Sequence, residues 1–504
     1  MIWLVHREIG TVIATPNGPA VNHFSFVLRE TNQPSIPLQK GQFVQLNSMG
    51  LLIAMVENIV KTNRYFDHPD AVSEYERGGL PLSAIFPADR WEYIIAFAKP
   101  LGIFNNNQLS RVSFPPSPGD KVYLADNSIL SKLLGLDSQG IALGHICYHE
   151  ELTGTFNLTR LFQKHIAILA MSGAGKSYTT SVIIEELLNR RKELGRLGIV
   201  ILDVHGEYTS FAESNNGGPD FSDRVTVIRS SYFTANTSYI SSGQFAEMLP
   251  QMSPIQVREL TQIVAELQNT KSHNAYSLKD LITLIESKET LNKKTQETLL
   301  SWLYELQGFN IFEDFENPEL EEAIKPGHAL IIDLSDTTNL RKKQIIITYL
   351  ARRLFNLRKR ELIAPYAFIL EEAHQFCPES AKRFAISRTI IETYAREGRK
   401  FGASLVVLSQ RPVHLSTTVL SQCGTHIIGR ITNPYDLDHI KKSSEQITKE
   451  TLNLISTLPT GEVLVVGAAC NFPVFVKVRK RLSKEPDFLK LEEAAVHFEK
   501  SKTI

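Results

Sequence analysis

The stretch KHIAILAMSGAGKSYTTS, residues 164 to 181, constrains the fold more than any other part of this chain. An apolar run leads into two glycines, a lysine and a serine, and a helix-forming segment follows. Strand, tight turn and helix in that order make the basic unit of a parallel α/β sheet. The glycines let successive backbone N–H groups point into one concavity, and the helix N-terminus adds its dipole, so the turn is suited to phosphates. The phosphate loop comprises Ser172, Gly173, Ala174, Gly175, Lys176, Ser177 and Tyr178. Lys176 is placed to reach the β and γ phosphates of a nucleotide, and Ser177 to ligate Mg²⁺. The usual pattern begins with glycine where this chain has Ala170. A methyl group there costs little if its backbone lies in a permitted region. The bland alternative, a chance match in a loop, is at odds with the buried strand before the motif and the helix after it.

A phosphate loop of this kind needs an acidic partner. YAFILEEAHQF supplies one: an apolar strand, Ala367 to Leu370, ends in Glu371 and Glu372. Acids at the carboxyl end of a parallel strand lie in the same crevice as the phosphate loop. Glu371 is suited to the Mg²⁺ shell through water, and Glu372 to orienting or deprotonating an attacking water. An acid pair that merely favours a helix dipole is the weaker alternative. Farther on, the strand Ser404–Leu408 ends in Ser409-Gln410-Arg411, which brings Gln410 out beside the terminal phosphate as a polar sensor. Arg396, Arg399 and Lys400 fall near a helix end just upstream. They either complement that helix's dipole or face a neighbouring subunit's nucleotide as an arginine finger; composition leaves both open.

From residue 164 onward, apolar runs at His165–Ala170, Leu197–Leu202, Ala329–Ile332, Ala367–Leu370 and Ser404–Leu408 alternate with helical stretches. This predicts a doubly wound parallel sheet, α/β in class. The strand signal stops between about 239 and 324. Ser253-Pro254 opens a helix with apolar Leu260, Ile263, Val264 and Leu267, Ser277 and Asp280 form a capping pair, and Leu299, Trp302, Leu303 and Leu306 form a third stripe. These features predict a helical insertion within the core. Before the core, residues 1–115 read as short alternating strands of a small all-β barrel or sandwich, and 116–163 as a connector containing the strand GIALGHI. The core spans 164–485, with a strand pair GEVLVVG and FPVFVKVRK near its end, and 486–504 form an amphipathic helical tail.

Lys+Arg and Asp+Glu both number 54, so no global basic field points to a polyanion, and any such partner must meet a local basic lining. The four cysteines are scattered without metal or disulfide spacing, as in a reducing cytoplasm. His6, Arg7 and Glu8 interrupt the apolar start that a signal peptide needs, and no apolar run spans a bilayer. A cytoplasmic protein without membrane contact is expected.

KHIAILAMSGAGKS, ILDVHGEYTSF, YAFILEEAHQF, REGRKFGASLVVLSQRP and IIGRITNPYD occur in the order seen in HerA-type ATPases, relatives of the FtsK and conjugation-coupling DNA pumps. The resemblance covers most of the chain, and DVHGEY is its most specific part. It implies a RecA-like core behind a small β-barrel, assembled as a homo-hexameric ring with ATP sites between subunits and double-stranded DNA in the channel. It carries Lys176, Ser177, Glu371 and Glu372 over as ATPase residues, with Asp203 and Glu207 lining the crevice. Arg396 is the first choice for the arginine acting in trans, with Arg399 and Arg430 in reserve. The family's members work with a nuclease or a sirtuin-type or nuclease-like effector in DNA end processing or antiphage defence, which implies a partner in trans here.

Other features have plainer readings. His165 and His374 are expected to be structural hydrogen-bonders, while His205 within DVHGEY is a functional candidate without an assigned role. The basic run Arg341, Lys342, Lys343, Arg352, Arg353, Arg358, Lys359 and Arg360, interleaved with apolar residues at helical spacing, is expected to be one helix with a solvated basic face. Three function classes follow: a DNA-translocating motor, a scaffold ATPase ring that sets an effector's state, and a P-loop kinase or small-molecule ATPase. The kinase fits least, because it has no use for an arginine presented in trans.

Overall fold

The computed structural model describes residues 8–16, 18–29, 38–63, 66, 69–77, 92–105, 108–215, 217–271, 275–380, 385–444, 447–486 and 491–502. They divide into two compact units. One comprises 1–136, 145–154 and 474–476, and the other 137–144, 155–473 and 477–504.

In the first unit, β1 (Glu8–Ile13), β2 (Phe24–Leu28), β3 (Phe43–Asn47), β4 (Leu51–Asn63), β5 (Glu92–Asn105), β6 (Gln108–Ser110) and β7 (Lys121–Leu124) form one antiparallel sheet. Its order is β2-β1-β7-β3-β4-β5-β6, and β2 also pairs with β5, so six strands close into a barrel. Alternating side chains such as Phe24, Phe26, Val44, Leu46, Leu52 and Ala54 fill its interior. The long β4–β5 ladder shifts register at Ile53/Ala54 and Val56/Asn58, and bulges of this kind bend strands to allow closure. Because β7 completes the barrel between β1 and β3, this unit runs to Leu136, beyond the boundary expected near residue 115. Strands β8 (Ile141–Ile146) and β9 (His149–Phe156) follow.

The second unit is built on β10 (Ile166–Leu169), β11 (Gly198–Asp203), β12 (Val225–Arg229), β15 (Ala329–Asp333), β16 (Tyr366–Leu370), β17 (Ala403–Ser409), β18 (Thr425–Ile428) and β19 (Glu462–Gly467), in the order β12-β15-β11-β16-β17-β10-β18-β19. All neighbours are parallel except the last pair. Every residue of β10, β11, β15, β16, β17 and β18 is buried, which explains their unbroken apolar runs. Two strands escaped the sequence reading: β12, VTVIR, and β18, THII, are short and partly polar.

The insertion lies between two short paired strands, β13 (Ala235–Asn236) and β14 (Phe312–Glu313). It holds helices Ser242–Met248, Pro254–Thr270, Leu278–Glu286 and Lys293–Gln307. Ser241/Gln244, Ser253/Gln256 and Ser277/Asp280 form reciprocal caps at three of their starts. Leu260, Ile263, Val264 and Leu267, then Leu299, Leu303 and Leu306, point inward as their spacing predicts.

The helix Leu340–Lys359 corrects an expectation. Lys359 and Arg360 are exposed as expected, but other basic residues are engaged: Arg341 pairs with Glu305, Arg352 with Glu247, and Arg353 with Glu316 and Glu321 while lying 4.0 Å over the Tyr239 ring. Lys343 is buried outright. The acids come from the helical insertion and the residues next to it, so the basic helix joins insertion to sheet.

After β20 (Val474–Val478), residues 479–484 are tied to the helix Lys176–Asn189. Glu185, fully buried, accepts from the Leu482 and Ser483 amides and the Ser483 hydroxyl at 2.7–2.9 Å, and from Arg479 Nη1 at 2.7 Å. Arg481 donates to Ser483 Oγ and the Lys484 carbonyl, beside the Phe211 ring. All four cysteines are buried free thiols, and among the described residues no helix is long and apolar enough to cross a membrane.

Candidate active site

The turn after β10 has the shape its glycines allow. Gly173 (φ 74°) and Gly175 (φ 91°) are both left-handed, and Gly175 caps the helix that begins at Lys176. A Cβ on exposed Gly173 would meet nothing within 4 Å, so the turn is unobstructed on that side. The first-turn amides of Lys176, Ser177 and Tyr178 lack intrahelical acceptors by helix geometry, which leaves them available to an anion. The Ala174 amide instead donates to the Met171 carbonyl at 3.2 Å. The Tyr178 hydroxyl accepts from the Arg481 amide at 2.6 Å, so it holds the segment after β20. Ala170 does not have positive φ, and its methyl stands 3.0 Å from where a Cβ on Gly429 would be, so the chain accommodates alanine here by placing glycine opposite.

The carboxyl ends of β10, β11, β15, β16 and β17 bring the acids and sensors together. Glu372 is 2% exposed, and its Oε1 receives the Lys176 ammonium, itself 7% exposed, in a buried ion pair. Gln410 Nε2 donates to the same oxygen at 2.8 Å. His374 Nδ1 stands 3.3 Å from both Glu372 Oε2 and Ser409 Oγ. Glu372 itself has left-handed backbone (φ 45°, ψ 42°), a strained conformation for a residue with a side chain and one concentrated at functional sites. Lys176, Glu372 and Gln410, three residues far apart in sequence, therefore share one point.

Glu371 turns the other way, into the DVHGEY turn. Its Oε2 accepts from the Val204 amide at 2.9 Å and the His205 amide at 3.3 Å. Asp203 spends its carboxylate on the same turn, accepting from the Gly206, Glu207 and Tyr208 amides at 2.8–3.0 Å. Asp203 thus shapes the loop that presents Glu371, and His205 contributes its backbone. Glu371 Oε1 and Glu207 Oε2 are buried without a hydrogen-bond partner. Burial, then the charges of Asp203 and Glu207, push Glu371 up to about 8, and burial pushes Asp203 up to about 6. Two orphaned carboxylate oxygens in an acid-rich pocket fit a divalent cation held partly through water and phosphate. Among the described residues no cluster of three or more His, Cys, Asp or Glu would hold a metal by itself.

These raised values give a signed expectation. The folded state keeps protons on Glu371 and Asp203 that the unfolded chain releases from about pH 4–5 upward, so stability falls as pH rises toward 8. The melting temperature of nucleotide-free protein should drop by several degrees across that window. In Glu371→Gln the slope should flatten; an unchanged slope would remove Glu371 as its source.

Two residues of this pocket were missed as contributors. Lys343 donates to the Val204 carbonyl at 3.4 Å, and burial lowers its pKa against the pull of Asp336, Glu371, Asp333 and Asp203. A signal existed: Lys343 continues the stripe Ile346, Leu350, Leu354 and Leu357, so helical spacing alone points it inward. His374 hydrogen-bonds Ser409, as expected of a structural residue, and its Nδ1 also stands 3.3 Å from Glu372 Oε2. His165 is structural: its Nδ1 accepts from the Leu405 amide at 2.9 Å, and burial lowers it to about 4.

The arginines separate by position. Arg396 pairs with Glu392 at 2.9 Å and is 57% exposed on the helix Arg388–Phe401. Two residues on, a Cβ at Gly398 would lie 3.1 Å from the His165 ring, which precedes β10, whereas the phosphate loop follows it. The four residues of β10 span roughly 13 Å. Arg399 is exposed on the same helix. Arg430 stands at the chain's own phosphate loop, its carbonyl accepting from the Met171 amide at 3.0 Å and its Nε buried without a partner.

Residues 141–354 match the family model for the central domain of helicase HerA. A probable helicase of Methanocaldococcus jannaschii is 28% identical over 94% of this chain and 95% of its own. A DNA double-strand break repair helicase HerA of Pyrococcus furiosus is 28% identical over 77% of this chain and 78% of its own. Among solved structures, VirB4 of Thermoanaerobacter pseudethanolicus superposes with a TM-score of 0.52 at 16% identity, covering 68% of this chain and 97% of that one, a likeness of fold.

Proposed function

We propose that this HerA-like chain is an ATPase that forms a homo-hexameric ring and moves along or unwinds double-stranded DNA. The observation that carries the reading is the buried Lys176–Glu372 pair capped by Gln410 beside an open phosphate loop. ATP binding gives Lys176 the β and γ phosphates in place of Glu372, whose freed carboxylate then takes a proton from the attacking water. Gln410 keeps one hydrogen bond to Glu372 and faces the leaving phosphate. Mg²⁺ at Ser177 and, through water, Glu371 would neutralise phosphate charge. The helicase names of the relatives support the DNA substrate. We propose a nuclease or other effector, sirtuin-type or nuclease-like, as a partner in trans. Double-strand break repair, in the name of the Pyrococcus furiosus relative, favours end processing over antiphage defence as the setting.

Mass measurement of the purified protein should give six copies per particle. Its ATP turnover should rise several-fold with duplex DNA, and the protein should displace a bound roadblock. A DNA-independent rate with an unmoved roadblock would favour a scaffold ring instead.

A site completed by a neighbour also needs a cation from outside the subunit. The exposed Arg396, on a helix that reaches the far end of β10, supports that role. Arg396→Ala should be inactive alone, yet regain turnover when mixed with inactive Lys176→Ala subunits. Absence of complementation at every mixing ratio would reject the trans assignment, and Arg430→Ala, at the chain's own loop, should not complement Lys176→Ala.

A further inference from the structure

We infer that His374 is a positioning residue for Glu372, taking over its second anchor when Lys176 turns to the phosphates. This rests on the ATPase reading above. In the structure Glu372 has three holders. Lys176 and Gln410 share Oε1, and His374 Nδ1 lies 3.3 Å from Oε2. Gln410 and His374 stand on segments other than the phosphate loop, so the departure of Lys176 does not by itself carry them away. Once Lys176 leaves, a carboxylate held at one oxygen alone could rotate about its side-chain bonds; a contact at each oxygen fixes its plane. Misplacing a catalytic group by about 1 Å costs on the order of a hundredfold in rate.

His374 is itself well placed to stay still. Its Nδ1 is also 3.3 Å from Ser409 Oγ, and Ser409 is fully buried at the end of β17, where its hydroxyl accepts from the Arg411 amide at 3.1 Å. The ring therefore ties Glu372, at the end of β16, to the end of the adjacent strand. The left-handed backbone of Glu372 adds a reason for the tie: a strained residue persists only where its surroundings over-determine it. The relevant atom is Nδ1, and this makes the proposal testable by shape. Asparagine places an amide nitrogen near the Nδ1 position, whereas glutamine reaches farther, toward Nε2.

The test is steady-state ATP hydrolysis by the full chain with duplex DNA, together with binding of a non-hydrolysable ATP analogue. His374→Ala should lose about a hundredfold in kcat with analogue affinity unchanged. His374→Asn should recover most of the loss, and His374→Gln should not. Equal rates for Asn and Gln, or a loss confined to KM, would overturn the positioning role. If His374→Ala fails to fold, judged by analogue binding and particle mass, the Asn and Gln pair still decides. Wild-type protein that hydrolyses no ATP would reject the ATPase reading itself, whereas normal wild-type turnover with an unaffected His374→Ala would reject this inference alone.

Discussion

Lys176→Ala should bind no ATP at micromolar concentration and show no measurable hydrolysis, the largest loss expected from any single change in this chain. Two effects combine. The phosphates lose their charged donor, and truncating one partner of a buried hydrogen-bonded charge pair costs about 2–5 kcal/mol or more. In the nucleotide-free protein the change also strips Glu372, 2% exposed, of the Lys176 ammonium, leaving Gln410 and His374. An unpaired buried carboxylate is destabilising by roughly 3–5 kcal/mol. Lys176→Ala should therefore melt earlier than wild type, and adding Glu372→Gln should recover much of the difference. Thermal denaturation of the single and double variants checks this. A double variant no more stable than Lys176→Ala would mean that the ion pair is not what the lysine contributes to the resting fold.

Glu372→Gln separates binding from chemistry. The amide keeps the size of the carboxylate and can accept from Lys176 and Gln410, but it cannot take a proton from water. Loss of a general base lowers turnover by about 10²–10⁴-fold. ATP affinity should hold or increase, because Lys176 no longer leaves a charged partner when it turns to the phosphates. Single-turnover hydrolysis and analogue titration measure the two quantities independently. Wild-type turnover in Glu372→Gln would remove the base role, and Glu371 would then have to be tested in its place. Its two backbone donors and orphaned Oε1 instead suit it to cation binding.

Much of this site is legible in sequence because its parts are contiguous. Gly173 to Ser177 form one turn, Glu371 and Glu372 end one apolar run, and Gln410 ends another; parallel strands then deliver those ends to a common edge. Side-chain partners across long sequence separations are not legible in the same way. The basic residues of Leu340–Lys359 read as solvated because Glu247, Glu305, Glu316 and Glu321 lie elsewhere in the chain. His374 looked incidental because nothing local shows that Ser409, on another strand, stands beside it. Asp203 read as a crevice acid, while its three amide partners show it shaping the turn. In the barrel, alternation revealed the strands, but the β2–β5 pairing that closes them has no local signature.

The clamp on Glu185 has a consequence for the end of the chain. Leu482, Ser483 and Arg479 all converge on a helix whose first residue is Lys176. Residues 479–484 are thus held at a fixed point on the nucleotide-binding helix, and a shift of that helix would pass to them through hydrogen bonds to a buried carboxylate.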